Sequence, residues 1–225
     1  MVGPQKGRRK QQLSQMAAES GIPVRTASAK AVANMTGTEQ HQGIAARVSL
    51  FPLTDITTLL DRVRFGSEPP LVLVMDQLTD TRNLGALSRS ALCVGVQAMV
   101  LPKDRAVQPT AAASKASAGA LEHMVLARVT NLSRTLALLK ETGLWVTGLD
   151  QRAAETIYTA DLTGPLALVV GGEDKGIRPL VKRQCDRLVR IPQQGPVSSL
   201  NASTAGTVVM YEIYRQRLLK TDLPA

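Results

Sequence analysis

LVLVMDQLTDTRNLGALSRSALC, residues 71–93, runs from an apolar strand-like stretch (Leu71–Met75) through a polar loop into the helix-like stretch GALSRSALCVG. On this reading Asn83 sits in a loop led by a glycine turn and Arg89 on the helix behind it. Both then lie near the C-terminal end of a sheet strand, the edge at which open α/β sheets bind ligands. Two later segments, GGEDKGIR (171–178) and IPQQGPVSSLNAS (191–203), follow apolar runs in the same way. Three polar loops on one sheet edge make a site.

Outward from that stretch, strand-like runs at 71–75, 97–101, 144–149, 166–170 and 187–191 alternate with helical stretches. Among these, NLSRTLALLKETG carries Asn131 as its N-cap, and the last helix runs from about Asn201 to Lys220. Continuous apolar strands separated by helices imply an α/β fold with a parallel sheet covered on both faces. The first fifty residues hold too little material for an independent core. Here the sequence predicts a short helix over 12–20, a loop-and-turn region over 31–43 and a strand over 44–50. Residues 51–69 read as a linker around the helix-like ITTLLDRVR, so the expected units are 1–50, 51–69 and 70–225.

The chain has 225 residues, 44% hydrophobic and 20% charged, the composition of a globular protein. A net charge of +9 points to a polyanionic partner, while 3% aromatic residues argue against a platform for stacking bases. The basic run Lys6, Arg8, Arg9, Lys10 reads as a flexible arm on a phosphate backbone or as a solubilising tail. Cys93 and Cys185 lack metal-ligand spacing and read as small buried hydrophobes, and His41 and His123 stand far apart, so no metal site is expected. No apolar run reaches the roughly 18 residues of a membrane span and no secretory signal is evident, so a cytoplasmic location is expected.

Each loop has a plain structural reading beside the functional one. Asn83 could only shape a turn. Arg89, among small apolar residues, needs a partner, and a guanidinium at a sheet edge suits a phosphate or a carboxylate. Glu173 caps the following helix, or faces a ligand hydroxyl or the arginine. Helix capping explains one of Ser198, Ser199, Asn201 and Ser203, not four. The glycine loops match neither the Walker A nor the G-x-G-x-x-G pattern, and no G-x-S-x-G marks a nucleophilic serine.

NLGALSRSA, GGEDKGIR and IPQQGPVSSLNAS, in that order at strand ends, resemble the three motifs of the SpoU (TrmH-type) RNA ribose 2′-O-methyltransferases. Residues 102–132 are similar to the branch that methylates a guanosine ribose in 23S rRNA, and the likeness extends from about Gly43 to Arg217. The resemblance implies a C-terminal trefoil knot of SPOUT type. It also implies S-adenosylmethionine held by backbone groups of Leu149, Gly171, Ile191 and Leu200, with close ligand approach a reason, beside a tight turn, for glycine at 171. Arg89 matches the family's site arginine, and Asn83, Glu173, Ser199 and Asn201 match its other site residues, which orient that arginine, the ribose and the cofactor. A guanidinium stays protonated, so Arg89 is expected to fix a phosphate and steady the developing oxyanion. The first fifty residues resemble a shortened L30e-like RNA-binding domain whose first strand and helix are missing. A homodimer, and no metal, are further implications. Two alternatives stay open: a non-catalytic rRNA-binding or assembly factor on the same scaffold, and an enzyme acting on tRNA or on an rRNA site linked to antibiotic resistance.

Overall fold

The computed structural model describes residues 4–64, 69–173, 175–195 and 199–221. It divides into two compact units, Met1–Leu50 and Phe51–Ala225.

The first unit holds helices α1 (Pro4–Glu19) and α2 (Ala29–Thr36). Proline at the first turn suits a helix start, because its missing N–H would have had no partner. The basic run read as an arm or tail is therefore helical. At the other end Ile22 N–H donates to the Ala17 carbonyl (2.8 Å) and Gly21 N–H to that of Ala18 (3.0 Å), a glycine-closed Schellman ending. The region 31–43, expected as loop and turn, begins inside α2. Ser28 caps that helix by accepting from Ala31 N–H (3.2 Å), and its burial of Val32 and Ala33 accounts for the apolar start of the segment. The strand expected over 44–50 is not formed. A strand needs an edge to pair with, this unit contains no sheet among its described residues, and Leu50 is left 94% exposed.

The second unit is built on seven strands: β1 (Leu71–Asp76), β2 (Ala98–Pro102), β3 (Leu126–Val129), β4 (Trp145–Leu149), β5 (Glu155–Thr156), β6 (Leu166–Gly171) and β7 (Arg187–Arg190). Every pairing is parallel, in the order β3-β2-β1-β6-β4-β7-β5. The helices are α3 (Ile56–Arg64), α4 (Thr81–Cys93), α5 (Ala111–Ala116), α6 (Leu132–Glu141), α7 (Pro179–Lys182) and α8 (Ala202–Thr221), with a 3-10 turn at Ala120–His123. Side chains alternate across a strand. Leu71, Leu73 and Met75 accordingly pack with Leu84, Leu87 and Ala91 of α4 and with Val209, Met210 and Ile213 of α8. Val72 and Val74 face the other way, onto α3, α6 and α7 through Leu59, Leu136 and Val181. Burial on both faces is why β1 reads as an unbroken apolar run.

Four expectations are corrected. Segment 51–69 contributes to the fold: Leu59 and Val63 of α3 are buried in the second cluster, Phe51 packs on the first, and Thr54 N–H donates to the Leu126 carbonyl beside β3 (2.9 Å). Residues 65–68 of that segment lie outside the described residues. Asn83 and Gly85 are inside α4, because the cap is Asp80, which accepts from Arg82 N–H (2.8 Å). Strands β3 and β5 add to the five read from the sequence. Cys93 is exposed rather than buried; Cys185 is half-buried, and burial pushes its thiol up to about 12.

Gly85 serves helix packing, not a turn. A Cβ there would lie 2.5 Å from Ala116 Cβ and 2.8 Å from the Ala116 carbonyl carbon and Ser117 N, so α5 rests on the bare backbone of α4. Alanine gains about 1 kcal/mol of helix propensity over glycine. Overpacking against backbone costs about 1–3 kcal/mol and prevails. Gly85→Ala is expected to lower unfolding stability by up to about 2 kcal/mol in a urea titration.

Candidate active site

The C-terminal ends of β1 and β6 lie side by side, Asp76 opposite Gly171. Asp76 is fully buried, and both its oxygens are used by one residue. Oδ2 accepts the Arg178 backbone N–H (2.8 Å), and Oδ1 accepts Nε (2.8 Å) and pairs with Nη2 (2.7 Å). This clamp fixes the far end of the 171–178 loop to the end of β1. The near end is fixed by shape. A Cβ on Gly171 would lie 2.1 Å from the Gly176 carbonyl carbon, and one on Gly172 would lie 2.4 Å from the Gln77 carbonyl oxygen. The glycine at 171 is therefore required by the loop's own backbone.

The fixed loop presents Glu173. Its Oε1 accepts the side-chain amide of Asn83, from the first turn of α4, and that of Asn201 (2.5 Å), which precedes α8. Asn201 does two things at once. Its Oδ1 accepts from Ser203 N–H (2.9 Å), Ser203 Oγ (2.6 Å) and Thr204 N–H (3.3 Å), so it caps α8 while its amide holds Glu173. Three segments separated by some ninety and thirty residues thus meet on one carboxylate oxygen. Asn83 is 6% exposed; Glu173 and Asn201 are open to solvent. Glu173, read as a helix cap or a ligand-facing group, makes no cap among the described residues: the N-terminal position of α7 is Arg178, without a side-chain cap.

Arg89 is not brought to this cluster. Six residues along an α-helix is a rotation that leaves Asn83 and Arg89 about 120° apart around α4. Asn83 is buried, whereas Arg89 is exposed and makes no ion pair among the described residues. The expectation that Arg89 is packed and paired is corrected: Leu84, Leu87, Ser88 and Ala91 take the buried face. Ser199 is exposed just ahead of α8, and Ser198 and Pro196 lie outside the described residues.

Three of the four positions expected to hold a cofactor fall at neighbouring strand ends. Leu149 ends β4, Gly171 ends β6 and Ile191 follows β7; β4 pairs with both other strands, and Leu149 is opposite Val189. Leu149 and Ile191 are half-buried on the same apolar cluster, and Leu200 is exposed before α8. On the other side of Glu173 a cleft of about 240 Å³ opens, lined by Gln77, Asp80, Asn83, Arg105, Glu173 and Lys175 among others. Sequence reasoning missed Asp76, Arg178 and Arg105. An aspartate directly after five apolar strand residues was a usable signal for Asp76, since a carboxylate at a buried strand end must be paired; nothing local marked the others.

A sequence profile of the SpoU rRNA Methylase family matches residues 70–211, and one for RNA 2′-O ribose methyltransferase substrate binding matches residues 2–53. The chain is 44% identical over 207 residues to a putative TrmH family tRNA/rRNA methyltransferase, YacO, of Bacillus subtilis, covering 92% of this chain and 83% of that one. It is 46% identical to the 23S rRNA (guanosine-2′-O-)-methyltransferase RlmB of Photobacterium profundum, covering 88% and 80%. Among solved structures, the SpoU methyltransferase AviRb of Streptomyces viridochromogenes in complex with AdoMet superposes with a TM-score of 0.67 at 28% identity, over 75% of this chain and 66% of that one. A family match across the whole sheet domain, with relatives above 40% identity along most of the chain, means that this chain belongs to the SpoU rRNA methylase family.

Proposed function

We propose that the protein transfers the methyl group of S-adenosylmethionine to the ribose 2′-hydroxyl of a guanosine in 23S rRNA. The observation that carries this is the meeting of Asn83 and Asn201 on Glu173, at the boundary between two halves of the sheet edge. On one half, the ends of β4, β6 and β7 offer the half-buried apolar pair Leu149 and Ile191 beside backbone past its last ladder partners. Those features fit an adenosyl group, held by backbone at Leu149, Gly171, Ile191 and Leu200. On the other half lies the polar cleft over β1 and β6. Family membership, and relatives named for 23S rRNA guanosine methylation, support the substrate.

Bound there, the cofactor supplies a methyl group on a sulfonium that leaves readily. What the chain must do is position and deprotonate a weak nucleophile. Glu173, steadied by two amide donors, orients the ribose. Arg89 fixes a substrate phosphate and steadies charge growing on the 2′-oxygen, and Ser199 lines the approach ahead of α8. A guanidinium does not serve as the base itself.

Arg89 is exposed on α4, and α4 and α8, joined by the Thr207–Ser90 hydroxyl contact (2.8 Å), also leave Leu92, Tyr211 and Tyr214 exposed. An apolar and aromatic face of this kind is what a homodimer would cover, with Arg89 delivered to the partner's site. We further assign a trefoil knot to the C-terminal segment. In support, β6, formed after β4, is inserted between β1 and β4, and α8 returns to pack on α4 and β6. Residues 1–50 are assigned as an L30e-like unit that grips RNA, supported by the substrate-binding match and by the basic helix α1. The setting is the cytoplasm, where rRNA is made; among the described residues no helix is long and apolar enough to cross a membrane.

The test is a map of 2′-O-methyl marks on total RNA from cells with and without the gene, paired with calorimetric titration of S-adenosylmethionine. One guanosine of 23S rRNA is expected to lose its mark, with one cofactor bound per chain. Loss of a tRNA mark instead would replace the substrate, and folded protein that binds no cofactor would return the chain to a non-catalytic RNA-binding role.

A further inference from the structure

We propose that Arg105 and Lys175 form a phosphate clamp across the mouth of the cleft over β1 and β6, holding the sugar–phosphate of an unpaired RNA nucleotide with its ribose against Asn83 and Glu173. This deepens the methyl-transfer reading above and rests on it for the identity of the ribose.

The first observation is backbone geometry. Among the described residues four non-glycine positions have left-handed backbone, and two of them line this cleft: Gln77 at φ 60° and Arg105 at φ 55°. Such conformations are strained for any residue with a Cβ, and they persist only where the surroundings enforce them. The enforcement is visible for Arg105. Lys103 N–H donates to the Val129 carbonyl (2.8 Å), Arg128 Nη2 to the Lys103 carbonyl (3.0 Å), Gln108 Nε2 to the Ala106 carbonyl (3.0 Å) and Val107 N–H to the Leu78 carbonyl (2.7 Å). The last bond ties this loop to the one that carries Gln77. Glycine would sit at 105 without strain, so the arginine is explained by its side chain.

The second observation is charge. Lys175 reaches the same cleft from the 171–178 loop, which is pinned by Asp76 to Arg178 and by the Gly172 contact. Two cations thus stand on two independently anchored walls. Asp80 also lines the cleft but does not neutralise them, because its carboxylate is taken up by Arg82 (Nη2 at 2.8 Å, Nε at 3.1 Å). Neither Arg105 nor Lys175 has an ion pair among the described residues. Glu173 is left at the floor with its two amides, a combination that suits a neutral sugar hydroxyl below an anionic phosphate. A guanidinium fork binds phosphate oxygens in parallel and an ammonium adds a point charge.

The experiment measures binding of an unpaired rRNA fragment against salt concentration, with steady-state methylation, for wild type, Arg105→Gly, Arg105→Lys and Lys175→Ala. Arg105→Gly removes the side chain while relieving the strain, so the loop should stay folded and the melting temperature should hold or rise. Each phosphate contact contributes about 0.7 to the slope of log K against log salt for single strands. Arg105→Gly and Lys175→Ala should therefore each lower the slope by about 0.7 and raise KM for RNA roughly tenfold, with kcat and cofactor affinity little changed. Arg105→Lys should restore the slope but only part of the KM. An unchanged slope in Arg105→Gly, or a fall in kcat with KM unmoved, overturns the clamp. Should wild type bind RNA yet transfer no methyl group, the enzymatic reading fails while the slopes still decide the clamp.

Discussion

Glu173→Ala is expected to reduce methyl transfer by about 100-fold or more, because it removes the one acceptor on which two of the three site segments converge. Without it the amide of Asn83, 6% exposed, loses its partner, and the loop that follows β6 is no longer tied to α4 or to the start of α8. The effect on stability should be small, about 1 kcal/mol, since Glu173 itself is exposed and Asn201 keeps its cap on α8. Glu173→Gln separates geometry from charge. Its carbonyl oxygen still accepts both amides, so near-normal turnover would make the role one of placement, and turnover as low as in the alanine variant would require the carboxylate's charge. Asn83→Ala combined with Glu173→Ala should cost scarcely more than the worse single change, as expected of residues acting as one unit. Turnover of Glu173→Ala within threefold of wild type would remove this carboxylate from the site.

The sheet was legible because β1 and β6 are buried on both faces and must be apolar along most of their length; LVLVM and LALVV admit few other readings. Strands β3 and β5 were not legible. One is four residues and includes Arg128, the other is two residues, and both take their conformation from neighbours rather than from their own pattern. The site's polar residues stood out because asparagine and glutamate interrupt otherwise apolar or glycine-rich stretches. What the sequence hid was direction. Asn83 was assigned to a loop because Gly85 looked like a turn residue, yet Asp80 caps the helix three residues earlier and Gly85 is spent on α5. The link from Asp76 to Arg178 spans 102 residues, and the left-handed backbone at Arg105 is held by bonds from its loop to two other segments, β3 and the loop after β1; no local pattern encodes either.

Arg89→Ala should abolish all but about a hundredth or less of methyl transfer while leaving the fold and cofactor binding intact. Stability should change by no more than about 0.5 kcal/mol, the usual range for an exposed side chain without partners. The two halves of this expectation pull in different directions within a single chain: Arg89 faces away from Asn83 and Glu173 on α4, yet its loss stops the reaction. They agree if the guanidinium serves the site of a second copy. Mixing makes that explicit. In a heterodimer of Arg89→Ala and Glu173→Ala chains, one site combines the intact Glu173 of the first with the intact Arg89 of the second, and the other site lacks both. Random re-association of two inactive variants should then recover about a quarter of wild-type activity, half the dimers being mixed and each having one working site. If Arg89 acts within its own chain, both sites of the mixed dimer stay defective and mixing recovers nothing. The outcome thus assigns the arginine to one chain or the other, and a recovered activity also requires that α4 lie at the interface between copies.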